Sequence, residues 1–129
     1  MVLFWRHRKI LIIEDNEDLV IFLKRILESV NYVVFSTTRG KGAVDLAIDK
    51  KPDVVILDIV LPDIGGEEVE RLLKEEPTTR NIPIIYMTAL VSREDEELAE
   101  SSDQPRLLLS KPVTTKRLLK AIDLALSRK

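Results

Sequence analysis

Ile10-Leu11-Ile12-Ile13 closes on Glu14-Asp15, and Val54-Val55-Ile56-Leu57 closes on Asp58. Both runs are short, unbroken and rich in β-branched residues, as strands covered on two faces are. In an open parallel sheet, strands of one direction bring their carboxyl ends to one edge, and ligands bind in the crevice there. The two runs therefore predict three acidic side chains gathered at one point. Two like charges about 4 Å apart repel by roughly 1 kcal/mol in water and by about 4 at an effective dielectric of about 20. A hard divalent cation relieves that repulsion, and an all-oxygen donor set that also pairs with phosphate suits magnesium. The plainer reading is that Glu14 and Asp15 only begin a helix, where acidic residues are common. At this point both readings stand.

Outward from these runs the chain alternates strand-like and helix-like patterns. Leu19, Phe22, Leu23, Ile26, Leu27 and Val30 recur at helical spacing, which predicts a helix from Glu17 to about Val30. Tyr32–Ser36 reads as a second strand, and Ala43, Val44, Leu46 and Ala47 as the inner face of a helix ending near Lys50. Pro52 precedes the strand Asp53–Leu57. Val69, Leu72 and Leu73 mark a third helix that stops before Pro77. Ile82–Met87 is a fourth strand with Pro83 at its start, because proline cannot donate to a ladder. Ser92 to about Ser101 reads as an acidic helix, Arg106–Leu109 as a fifth strand, and Thr114 to about Ser127 as a last helix with Leu118, Leu119, Ile122, Ala125 and Leu126 inward. Five such units predict one α/β domain, a doubly wound five-stranded parallel sheet with five flanking helices and right-handed crossovers.

Composition narrows the class. The 129 residues suit one domain, and 45% apolar with 33% charged residues is a globular balance. With no cysteine there is neither a disulfide framework nor a thiolate metal site. A net charge of −2 gives no reason to expect direct nucleic-acid binding. The apolar start Met1–Trp5 is too short for a membrane span and precedes, rather than follows, its basic residues, so no signal peptide is expected. Residues 1–8 are expected to be an N-terminal extension, 9–129 the domain, and the location cytoplasmic.

The remaining strand ends decide between the two readings of the acids. The fourth strand runs into Thr88-Ala89 and the fifth into Ser110-Lys111-Pro112. Proline biases Lys111 towards extended backbone. Four of five strands thus deliver a polar group to one rim: an acid pair, an acid, a hydroxyl and an ammonium.

From about Lys9 to Leu126 the chain resembles the receiver domain of two-component response regulators. The resemblance rests on Ile10–Asn16, Asp58–Gly66, Met87-Thr88-Ala89 and Ser110-Lys111-Pro112 in this order and spacing. It implies a flavodoxin-like fold with strand order 2-1-3-4-5 and a switch point between strands one and three. It further implies Asp58 as phosphoacceptor, a carboxylate nucleophile. Magnesium would be held by Asp15, Asp58 and the backbone carbonyl of Val60, with Glu14 acting through water. Lys111 and Thr88 would contact phosphoryl oxygens, which is positioning and electrostatics rather than covalent help. His7, the single histidine, lies before the first strand and offers no phosphodonor. A histidine kinase or histidine phosphotransfer protein is the implied donor, and the surface of the fourth helix, fifth strand and fifth helix the implied output. No enzymatic turnover is expected beyond assisted self-phosphorylation and slow self-dephosphorylation.

The chain departs from the family pattern in four places. Leu108 stands three residues before Lys111, where the family has Phe or Tyr, so an aromatic rotamer switch is missing; Tyr86 is a nearby aromatic with a core position. Val60 and Leu90, two residues beyond Asp58 and Thr88, are apolar and are expected to slow water attack on an acyl phosphate. The Gly65-Gly66 pair is expected to loosen the start of the third helix. The predicted fourth helix carries Glu94, Asp95, Glu96, Glu97 and Glu100, and the fifth Lys116, Arg117, Lys120 and Arg128. Solvated faces often look so; the alternative is a twofold dimer pairing the two helices. Competing functions are a phosphorylation-independent interaction module, favoured by Leu108, and a metal-dependent hydrolase or nucleotide binder. The latter lacks any glycine-rich phosphate loop, since Gly40-Lys41-Gly42 only turns into a helix.

Overall fold

Alternation of side chains along each strand sorts the apolar residues into two cores, one on each face of the sheet. The computed structural model describes residues 7–90, 92 and 107–127. Its strands are β1 (Lys9–Ile13), β2 (Val33–Thr37), β3 (Val54–Asp58), β4 (Ile84–Thr88) and β5 (Leu107–Ser110). The described helices are α1 (Glu17–Ser29), α2 (Ala43–Lys50), α3 (Gly66–Glu75) and α4 (Thr115–Ser127). The strands lie in the order β2-β1-β3-β4-β5, and every pairing is parallel. This is the doubly wound parallel sheet read from the sequence, in the strand order that the resemblance implies. The fifth expected helix is α4; residues 93–101 of the expected acidic helix and the segment Met1–Trp5 lie outside the described residues.

Ile10, Ile12, Ile56, Ile85 and Met87 face α1 and α4, where Leu23, Leu27, Leu118 and Ile122 close over them. Leu11, Ile13, Leu57, Ile84 and Tyr86 face α2 and α3, covered by Ala47, Val69 and Leu73. Every residue of β3 and β4 is buried, which is why their sequences read as continuous apolar runs. No described helix is long and apolar enough to cross a membrane.

Two sequence readings need correction. The fourth strand begins at Ile84 rather than Ile82, because Ile82 N–H closes a turn onto the Thr79 carbonyl and Pro83 contributes only its carbonyl, which accepts from Val55 N at 3.0 Å. The expected loosening of α3 by the glycine pair overlooks what Gly66 packs against. Gly66 N–H donates to the Ile59 carbonyl at 2.8 Å. A Cβ on Gly66 would lie 2.5 Å from the Asp58 carbonyl oxygen and 2.7 Å from Ile59 Cα, backbone atoms that cannot swing aside. Gly66 therefore lets the start of α3 press against the end of β3. Gly66→Ala should cost about 2 kcal/mol, the scale of forced overpacking. Gly65→Ala, with nothing within 4 Å of its Cβ, should be close to neutral in the same urea titration.

A second brace joins the loops after β2 and β3. Gly40 N and Lys41 N donate to the two oxygens of Asp63 at 2.9 and 2.6 Å. Desolvation opposes its charge, but the amides of Lys41, Ile64 and Gly40 outweigh that and hold the carboxyl at about 2.

Candidate functional site

Parallel pairing brings the ends of β1, β3, β4 and β5 to one edge. Ile13 lies opposite Leu57, Asp58 opposite Met87, and Thr88 opposite Ser110. The last residues of β3 and β4, Asp58 and Thr88, and the residues just after β1 and β5, Glu14 and Lys111, are thereby brought to that edge. The carboxylates of Glu14, Asp15 and Asp58 offer oxygens that lie within 4.8 Å of one another. Glu14 is fully buried and Asp58 nearly so, whereas Asp15 is exposed. Lys111 reaches in from the end of β5. Its Nζ donates to Asp58 Oδ2 at 2.8 Å and lies 2.7 Å from Glu14 Oε1, the latter an ion pair rather than an aligned hydrogen bond.

Three carboxylates thus face one ammonium. Burial is the largest influence on Glu14 and pushes its carboxyl up; Lys111 and the Asn16 amide pull it back, and the balance leaves it at about 7. On Lys111 burial opposes the charge, but the bonds to Asp58 and Glu14 more than offset it and hold the ammonium above its usual range. Asp58 Oδ1 accepts from Val60 N at 3.0 Å, so one oxygen is fixed by the turn after β3 and the other by Lys111. The donor set is hard oxygen with an excess of negative charge, and its exposed member, Asp15, opens it to solvent. A hard divalent cation fits such a set, and these carboxylates are the residues that could hold it.

Thr88 is buried at the end of β4, one residue beyond the partner of Asp58. Its hydroxyl accepts from Leu90 N at 3.2 Å, and its carbonyl accepts from Lys111 N at 3.1 Å. The strand ends that carry the threonine and the lysine are therefore directly bonded. Val60 and Leu90, 53% and 73% exposed, stand at the rim as apolar side chains facing solvent. Leu108 lies opposite Tyr86 and packs half-buried in the core on that face.

Sequence reading missed Asn16. Its side chain caps α1 by accepting from Leu19 N at 3.1 Å, while its own N–H donates to Glu14 Oε2 at 2.9 Å. One residue thus starts the helix and holds a buried carboxylate in place. The signal was present as an asparagine just before the helical pattern.

The sequence profile of the response regulator receiver domain matches residues 10–123. The polar-differentiation response regulator DivK of Brucella anthropi is 33% identical over 115 residues, which cover 89% of this chain and 93% of that protein. Among solved structures, the signal receiver domain of a LuxO-type repressor from Vibrio parahaemolyticus aligns at 26% identity and a TM-score of 0.78, covering 95% of this chain and 92% of that one. The receiver domain of a sensor histidine kinase from Pseudomonas aeruginosa aligns at 25% identity and 0.80, covering 95% and 99%; that structure holds a magnesium ion in its active-site cleft.

Proposed function

The chain belongs to the response regulator receiver domain family, and from that membership we propose that it is a phosphoacceptor of a two-component phosphorelay. In this reading residues 9–129 form the receiver and Asp58 accepts the phosphoryl group from a histidine kinase or histidine phosphotransfer protein in the cytoplasm. The observation that carries it is the state of Asp58: a nearly buried carboxylate at a strand end, 2.8 Å from an ammonium, beside two further acids.

Asp58 attacks phosphorus while the bond from phosphorus to the donor imidazole breaks, and the departing ring keeps the bonding pair and takes a proton from solvent. Lys111, already aimed at the carboxylate, neutralises phosphoryl oxygens as they arrive. Asp15, Asp58 and the Val60 carbonyl would hold magnesium, with Glu14 acting through water, and the bound ion would supply charge neutralisation for the incoming phosphoryl group. The Thr88 hydroxyl would exchange its bond to Leu90 N for one to a phosphoryl oxygen, which moves the loop after β4. That movement is the output signal, passed to the surface around β5 and α4 and to a partner or a second copy docking there.

Incubation with acetyl phosphate and magnesium, followed by intact-mass measurement, should add one phosphoryl group that hydroxylamine removes, as it does from acyl phosphates. No adduct would overturn this reading. It would favour a phosphorylation-independent interaction module instead, for which Leu108 at the family's aromatic position is the supporting observation.

The apolar rim sets the lifetime of the adduct. Val60 and Leu90 offer no group to orient an attacking water, so the phosphorylated form should decay slowly. Replacing both with Asn should shorten its lifetime several-fold, roughly the worth of one positioned polar group. A parent lifetime of seconds in magnesium buffer would contradict this.

A further inference from the structure

Arg117 stands in an unfavourable place for a cation. It lies in the first turn of α4, a turn with no acidic residue, where the helix dipole favours negative charge. Thr114 precedes that helix and its hydroxyl accepts from Arg117 N at 3.3 Å, so Arg117 fills the position where a capping box carries Glu or Gln. It also adds a further cation, beside Lys116, six residues after Lys111.

Its side chain shows what offsets this. The guanidinium turns back over the loop that carries Lys111. Nη2 donates to the Ser110 carbonyl at 3.0 Å and to the Ser110 hydroxyl at 2.8 Å, and Nη1 donates to the Pro112 carbonyl at 3.0 Å. The acceptors lie on the residues immediately before and after Lys111. Lys111 itself is held by its N–H to the Thr88 carbonyl at 3.1 Å. The backbone on both sides of the lysine is thereby clamped, and the ammonium is delivered to Asp58 from a fixed base.

The geometry points to Arg117 as a positioning residue for Lys111. It acts through the loop, by the planar fork of the guanidinium, whose bonds reach both sides of the lysine. This rests on the phosphoacceptor reading above for its effect on rate, but not for its effect on Lys111.

Arg117→Ala should lower the rate of phosphoryl uptake from acetyl phosphate roughly tenfold, because small misplacements of an aimed group are costly. Arg117→Lys should stay low too, since a point ammonium cannot serve acceptors on both sides of the loop. Full recovery in Arg117→Lys, or an Arg117→Ala rate within about twofold of the parent, would overturn the assignment.

A second readout separates positioning from general support of the fold and needs no phosphorylation. Urea midpoints are compared for the parent, Arg117→Ala, Lys111→Ala and the double variant in chelator. If Arg117 works through Lys111, its effect on the midpoint should shrink by about half once Lys111 is gone. Strict additivity would mean that Arg117 only supports the helix start, and would overturn the proposal. Should the parent take up no phosphoryl group, the phosphoacceptor reading fails, and the stability comparison alone decides the role of Arg117.

Discussion

Asp58→Asn should take up no phosphoryl group from acetyl phosphate under conditions that convert the parent. The reason is positional as much as chemical. Glu14 has the right functional group, but it is buried, tied to Asn16 N, paired with Lys111 and held near neutrality, so much of it is protonated at pH 7. Asp15 is exposed, and among the described ion pairs Lys111 joins Glu14 and Asp58 but not Asp15. Asp58 is the last residue of β3 and takes a hydrogen bond from Lys111 on one oxygen and one from the Val60 amide on the other. Glu14 has the same two kinds of neighbour but is fully buried and held near neutrality. Asparagine keeps the shape and can still accept from Val60 N, so the variant should fold, as circular dichroism can check. It cannot act as an anionic nucleophile. A persistent adduct on the variant would place the acceptor elsewhere.

In chelator, raising the pH from about 5 to about 8 should lower stability by about 3 kcal/mol, the largest effect expected without any mutation. Glu14 sits at about 7 in the folded protein against an ordinary 4.5. A carboxyl raised in this way binds its proton more tightly folded than unfolded. Its stabilising contribution is complete below about 4.5 and is lost as pH rises through about 7. The shifted groups Asp63 and Lys111 act outside that window. Asp63 is depressed to about 2, so its contribution is lost only in acid. Lys111 is raised above 10.5, so its contribution is lost only in strong alkali. Urea titrations at the two pH values measure the slope, and Glu14→Gln should flatten it. Equal stability of the parent at both values would contradict the assignment. Magnesium would bind the deprotonated carboxylates, so a stabilising effect of added magnesium should grow over the same range.

Both results trace back to features of unequal legibility. The strand ends at Glu14, Asp58, Thr88 and Lys111 could be read directly, because a buried parallel strand announces itself as an apolar run and its end as the first polar residue. The boundary errors were single residues, except at Pro83, where a turn onto Thr79 competes with the strand. The Gly65-Gly66 pair was read incompletely for a different reason. Glycine signals either freedom or close approach, and only the distance from Gly66 to the backbone of Asp58 and Ile59 tells which.

The sequence by itself determined the alternation of strand and helix, and therefore which residues end each strand. Local apolar periodicity carries that information, and parallel connection sends all the ends to one edge. Only the tertiary structure decided what those residues became. That Glu14 is buried and pushed towards neutrality, that Lys111 spans two carboxylates, and that Arg117 bonds both flanks of the lysine all depend on contacts between residues far apart in the chain, or on side chains turned back across a loop. Burial and charge pairing are properties of assembled neighbours, and no single stretch of sequence contains them.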